Sequence, residues 1–112
     1  MVRSKSELVI ANTLHGLGMD YSYEQRLDFD HPPSRVLPDF VFVTPAGDRI
    51  VWEHLGLLSK PDYRAGWERK KALYESQGFR QGESLFTTED DERGGLDSRE
   101  VRRVAEQIAA LL

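Results

Sequence analysis

Two apolar runs joined by a short turn segment constrain this chain more than any other feature. The first is Leu37-Pro38-Asp39-Phe40-Val41-Phe42-Val43 and the second is Arg49-Ile50-Val51-Trp52-Glu53-His54-Leu55, with Thr44-Pro45-Ala46-Gly47-Asp48 between them. Apolar and β-branched residues on both sides of a segment containing Pro and Gly read as the arms of a β-hairpin. Each arm carries one carboxylate, Asp39 and Glu53. Folding about Ala46 or Gly47 brings the two acids level, directly opposite or diagonal. Cross-strand neighbours on one face lie roughly 5 Å apart, and like charges there are destabilising. Such a pair needs a cation, a proton or a basic partner, and a divalent metal is the most productive of these.

Register decides whether the acids meet. A slip of one residue turns one of them to the other face of the sheet. A four-residue loop pairing Thr44 with Arg49 sets Asp39 against His54; a three- or five-residue loop, or a bulge, keeps both acids on one face. The sequence leaves this open, and two solvated acids at strand ends are the alternative.

The remaining elements read as follows. Ser4-Lys5-Ser6-Glu7 has capping-box spacing and opens a helix with Leu8, Ala11, Leu14 and Leu17 at helical intervals, stopped by Gly16 and Gly18. Residues 21–30 alternate as a first strand, which His31-Pro32-Pro33-Ser34 breaks. Phe40-Val41-Phe42-Val43 is apolar at every position, the pattern of a strand covered on both faces. Pro61 opens a second helix that runs to Gln77 and stops at Gly78. Residues 83–88 form a fourth strand, and Asp97 with Glu100 caps a last helix whose buried face carries Val101, Val104, Ala105 and Ile108. The expected architecture is a single α/β domain over residues 1–112, with element order αβββαβα and a mixed four-stranded sheet flanked by helices.

Three further residues gather around the hairpin. Tyr63, Trp67, Lys70, Tyr74 and Gln77 share one stripe of the second helix, so Lys70 sits at the centre of an apolar face, while Lys71 lies about 100° away and reads as more exposed. A lysine there is uncommon unless it is paired or reaches out to water along its stem. Two nearby carboxylates give it a partner, and its charge can stabilise a phosphate in reaction. Glu7 is both a capping-box acid and a candidate to approach Asp39. His54, beside Glu53, points to the opposite face in regular strand geometry, so its backbone carbonyl is the atom that could reach a metal; its side chain reads as structural or as a DNA contact.

The chain has no cysteine, so neither disulfides nor thiolate sites arise, which suits a reducing cytoplasm. No apolar leader and no membrane-length apolar run are present. Oxygen ligands without a histidine set select hard cations, Mg²⁺ with Mn²⁺ as a substitute. Two carboxylates with substrate phosphate oxygens around Mg²⁺ form a phosphoryl-transfer arrangement. The net charge of −4 argues against a freestanding, tightly binding nucleic-acid protein. Basic groups remain between Lys60 and Lys71, with Arg64 and Arg69 as phosphate candidates, and at Arg99, Arg102 and Arg103. The acids of Glu89-Asp90-Asp91-Glu92 read as a solvated loop.

These residues resemble the PD-(D/E)XK nuclease superfamily, with its restriction-endonuclease-like fold. Pro38-Asp39 is similar to its first motif, and Glu53-His54-Leu55 stands where Glu-x-Lys is expected. Leu55 occupies the usual lysine position, but in several branches the lysine has moved to the following helix. Lys70-Lys71-Ala72-Leu73-Tyr74 resembles the Gln-x-x-x-Tyr motif found there, with lysine in place of glutamine. The combination with Ser4-Lys5-Ser6-Glu7 and Trp52-Glu53-His54-Leu55-Gly56 is similar to small nuclease-like domains associated with UvrD-type DNA helicases. The resemblance implies Mg²⁺-dependent DNA phosphodiester hydrolysis. In it Asp39 and Glu53 are metal ligands together with His54, and Lys70, Glu7 and Tyr74 complete the catalytic set. It also implies DNA and a helicase in cis or trans as partners, and is compatible with a homodimer. Leu55 and the acidic charge favour a competing expectation, a nuclease-like module that binds DNA or assembles without catalysis. A third, a hydrolase using the acid pair for proton transfer on another substrate, requires a raised carboxyl pKa and no metal.

Overall fold

The computed structural model describes residues 4–31 and 33–112. Pro32, part of the expected chain break, and the first three residues of the expected leaderless start lie outside the described residues. Helix α1 spans Lys5–Gly16, and the Ser4 hydroxyl caps it by accepting the Glu7 amide at 3.0 Å. Its buried stripe is Ser6, Ile10, Ala11 and Leu14. Leu8, expected on that stripe, is 49% exposed. It lies two positions before Ile10, which turns it about 200° away around the helix.

Strands β1 (Ser22–Tyr23), β2 (Leu27–Asp30) and β3 (Pro33–Val36) follow. This departs from the single strand expected over residues 21–30. Glu24 adopts a left-handed backbone with φ 51° and ends the first segment. The chain after it leaves the main sheet and forms a separate antiparallel hairpin in which Leu27 pairs with Val36. Pro33 thus belongs to a strand instead of breaking one.

Strands β4 (Phe40–Val43) and β5 (Arg49–Leu55) form the anticipated hairpin, antiparallel with Phe40 opposite Trp52 and Val43 opposite Arg49. The loop is therefore Thr44 to Asp48, closed by Thr44 donating to the Asp48 carbonyl at 2.8 Å. Gly47 supplies the positive φ of 87° that this closure needs. Helix α2 (Pro61–Ser76) crosses over to β6 (Leu85–Glu89), which pairs parallel to β5, and α3 (Ser98–Ala109) closes the chain. The main sheet has the order β1-β4-β5-β6 and is mixed, so the fold is α/β with three helices and a four-stranded sheet.

The pleat divides the core in two. Phe40, Phe42, Ile50, Trp52 and Phe86 pack against Ile10 and Leu14 of α1 and Val101, Val104 and Ile108 of α3. Val51 and Leu85 face the other way, toward Tyr74 of α2 and Leu27 and Val36 of the small hairpin, and strand alternation turns the buried Val41 to the same side. Phe40, Val41 and Phe42 are all buried, as a strand covered on both faces requires, but Val43 at the turn is 58% exposed. Tyr74 is the single buried residue of α2 among those described, and Trp67 and Leu73 are only half-covered beside it.

Candidate functional site

The β4–β5 register settles which face each acid takes. Continuing the pairing one step beyond Phe40 and Trp52 sets Asp39 directly opposite Glu53. Both then share the α2 face with Val41 and Val51. Here the ladder has ended, and the carboxylates take over its hydrogen bonds. The His54 amide donates to Oδ2 of Asp39 at 2.7 Å, and the Asp39 amide donates to Oε1 of Glu53 at 3.2 Å. Each acid thus satisfies an amide of the opposite strand, which fixes both side chains.

Helix α2 supplies the basic partner. Lys70 Nζ lies 2.6 Å from Oε2 of Glu53 and donates to the Leu37 carbonyl at 3.0 Å. The Tyr74 hydroxyl donates to the same Glu53 oxygen at 2.7 Å. Residues 70 and 74 are one turn apart, so both reach a single carboxylate. Glu53 is 3% exposed and would be costly to hold there alone; the ammonium, the phenol and the Asp39 amide compensate it. Burial, then the Glu53 charge beside it, raises the Tyr74 hydroxyl well above its ordinary range.

Among the described residues Asp39 has no such cation of its own. Burial first, and then the negative charge of Glu53, push its carboxyl from 3.8 up to about 7. The His54 amide and the more distant Lys70 pull the other way, and the Glu7 charge adds to the rise. Glu7 takes part in the α1 cap, and its charge is among those felt by Asp39. The Glu7 amide completes the cap, while its carboxylate accepts from the Tyr23 hydroxyl at 3.2 and 3.3 Å and acts electrostatically on Asp39. Tyr63, in the first turn of α2, accepts the Gly56 amide at 3.2 Å. Burial raises its hydroxyl, and the charges of Asp39, Glu53 and Asp90 add to the effect.

Among the described residues no group of three or more His, Asp or Glu side chains stands in a metal-binding arrangement. What the fold brings together directly is Asp39, Glu53, Lys70 and Tyr74, with Glu7 at the rim. His54 gives this group its backbone amide only. Its imidazole, buried to 4% exposure, lies on the α1/α3 face, 2.8 Å from the Thr88 hydroxyl and 2.9 Å from Oδ1 of Asp90. Arg64 and Arg69 are exposed, and Arg64 donates to the Leu58 carbonyl. Lys71, expected to be more exposed than Lys70, is half-buried as well.

One group escaped the sequence reading. Asp90, assigned to a solvated acidic loop, has a side chain only 15% exposed; it accepts from the Ser6 hydroxyl at 2.6 Å and pairs with His54. The available signal was parity. Residues 86, 88 and 90 fall on one face of β6 and its extension, the face that Phe86 buries.

No family model matches the chain, and no solved structure matches it. It is similar to an uncharacterized protein of Methanocaldococcus jannaschii, with 39% identity over 79 residues, which is 70% of this chain. The chain corresponds to about 6% of the length of that archaeal protein.

Proposed function

We propose that this chain is a metal-dependent deoxyribonuclease domain of the PD-(D/E)XK type, hydrolysing DNA phosphodiester bonds. The observation that carries the reading is the Asp39/Glu53 pair, two carboxylates on one face beyond the end of a strand ladder, with Lys70 on one of them. The residues suit a hard dication. Only Oδ2 of Asp39 is engaged among the described residues, and this carboxyl sits where negative charge is in excess, so a cation beside it would relieve the repulsion. Mg²⁺ uses one or two protein carboxylates and takes its remaining ligands from water and substrate phosphate, so a third protein ligand is not required.

In this reading Asp39 and Glu53 would hold the ion, which would supply charge neutralisation at the phosphate and lower the pKa of water. The His54 amide and Tyr74 orient the two carboxylates. Lys70 presents its ammonium to the negative charge that develops on the phosphate, and Glu7 orients water at the rim. The net charge of −4 implies that DNA affinity is supplemented by a larger host or partner, a helicase in cis or trans.

A specific observation favours the second reading, a nuclease-like DNA-binding or assembly module without catalysis. Lys70 is already engaged by Glu53 and the Leu37 carbonyl, as a purely structural lysine would be, and Leu55 is a buried side chain where the usual lysine is expected. Calorimetric titration of Mg²⁺ and Mn²⁺ into wild type and Asp39→Ala, followed by cleavage assays on single- and double-stranded DNA, separates the two. Carboxylate-dependent metal binding with cleavage is expected. DNA binding indifferent to Mg²⁺, with no metal bound by either protein, would leave the non-catalytic module.

A further inference from the structure

The buried polar cluster on the far side of the sheet has no part in the chemistry proposed above, yet it is tied to α1 and β5, two of the elements that contribute to it. Trp52 Nε1 donates to the Thr88 hydroxyl at 3.0 Å, and that hydroxyl lies 2.8 Å from His54 Nδ1. His54 Nε2 lies 2.9 Å from Oδ1 of Asp90, which also accepts from Ser6 at 2.6 Å. One hydrogen assignment satisfies the whole chain of contacts. Thr88 accepts from the indole and donates to Nδ1, and the ring proton sits on Nε2 and is donated to Asp90. The Asp90 amide in turn donates to the Leu55 carbonyl at 3.0 Å. The cluster therefore links α1, β5 and β6.

We infer that His54, Asp90 and Ser6 are positioning residues for the acid pair on the opposite face, an inference that rests on the metal-site reading above. Two routes carry the effect. His54 spans the sheet: its ring is locked in the cluster, and its amide is the donor that holds Asp39 Oδ2 at 2.7 Å. At this point β5 has run past its last pairing with β4, at Phe40 and Trp52, while its pairing with β6 continues through His54 and Thr88. The amide therefore lies on the edge of β5 that β4 no longer covers, and the ring's anchors add to the hold of β6 in setting its direction. The second route runs through α1, where Ser6 pins the first turn to Asp90 and the adjacent Glu7 carboxylate is held by the Tyr23 hydroxyl, its charge adding to the rise of the Asp39 carboxyl. An apolar cluster of equal volume would hold the layers together as well as a buried His–Asp pair does. What it would not supply is direction.

The test uses the full chain with Asp90→Ala, Asp90→Asn and Ser6→Ala, and three readouts: Mg²⁺ affinity by calorimetry, amide hydrogen exchange by NMR, and the urea midpoint. Partners outside the ligand shell typically change metal affinity 10–100-fold. Asp90→Ala is expected to weaken Mg²⁺ binding by at least tenfold. It should also accelerate exchange of the His54 amide about tenfold relative to that of Val51, which is held by the Ser84 carbonyl away from the cluster. Asp90→Asn keeps an acceptor for both Ser6 and His54 and should remain near wild type in both. If Asp90→Ala does not fold, Ser6→Ala carries the same comparison with one hydrogen bond removed. A lower urea midpoint with both other readouts unchanged would make the cluster merely structural and overturn the inference. If wild type itself binds no Mg²⁺, the metal reading fails, and the His54-to-Val51 exchange ratio still decides whether the cluster positions the acid site.

Discussion

At the scale of single residues, the acid pair is asymmetric, and the asymmetry can be measured. Glu53 is compensated by Lys70 and Tyr74, whereas Asp39 carries a carboxyl pushed up to about 7 by burial and by Glu53. The folded state therefore keeps a proton on Asp39 between its ordinary value of 3.8 and about 7, a range in which the unfolded chain has released it. Stability must fall as pH rises through that window, by at most about 4.5 kcal/mol at 1.4 kcal/mol per unit. Urea midpoints measured from pH 4 to 8 should show this slope, and Asp39→Asn should flatten it. Lys70→Met leaves Glu53 buried without its cation and should cost about 3 kcal/mol by the same assay. Adding Glu53→Gln to that variant should recover most of the loss, because a neutral amide needs no counter-charge.

At the scale of elements, the five-residue loop is what brings the acids together. Deleting Ala46 leaves four residues between Val43 and Arg49, and restoring the five-residue closure takes Arg49 into the loop and pairs Val43 with Ile50, which sets Asp39 against His54 and turns one carboxylate away. The expected outcome is a variant that has lost carboxylate-dependent Mg²⁺ binding, read by calorimetry, even where circular dichroism reports retained strand content. Helix α2 meets the sheet through Tyr74 and reaches the acids with Lys70, one turn away. Tyr74→Phe removes a hydrogen bond to a buried charge and should cost about 1.5–3 kcal/mol of unfolding free energy.

At the scale of the whole molecule, the sheet separates two layers that meet at the C-terminal end of β5. The α2 layer carries the acids and their lysine; the α1/α3 layer carries the His54–Asp90 cluster. The His54 backbone is where the two sides touch, and the Glu7 charge acts on Asp39 from α1. A dication that binds only the folded arrangement should stabilise the entire domain, by about 2.7 kcal/mol at roughly 100 times its Kd. It should also remove the pH slope, since a metal-bound Asp39 no longer holds the proton. Unfolding curves with and without Mg²⁺ at pH 5 and pH 8 check both effects together.

The sequence by itself determined the hairpin, the three helices and the central strands, because hydrophobic period, Pro, Gly and cap residues act over a few neighbouring positions. It also singled out Asp39, Glu53 and Lys70 as candidates through the hairpin pattern and helical spacing, and the family resemblance added Tyr74. Three matters waited for the tertiary structure. The loop length between Val43 and Arg49 chose the register, since several turns fit the same residues. The division of residues 21–36 into one short sheet strand and a separate hairpin followed from the left-handed turn at Glu24, which no local pattern announces. Asp90 became a buried partner of His54 and Ser6 only when α1 docked beside β6. Its place was decided by a contact spanning 84 residues of chain, and an acidic run reads as solvated until such a contact forms.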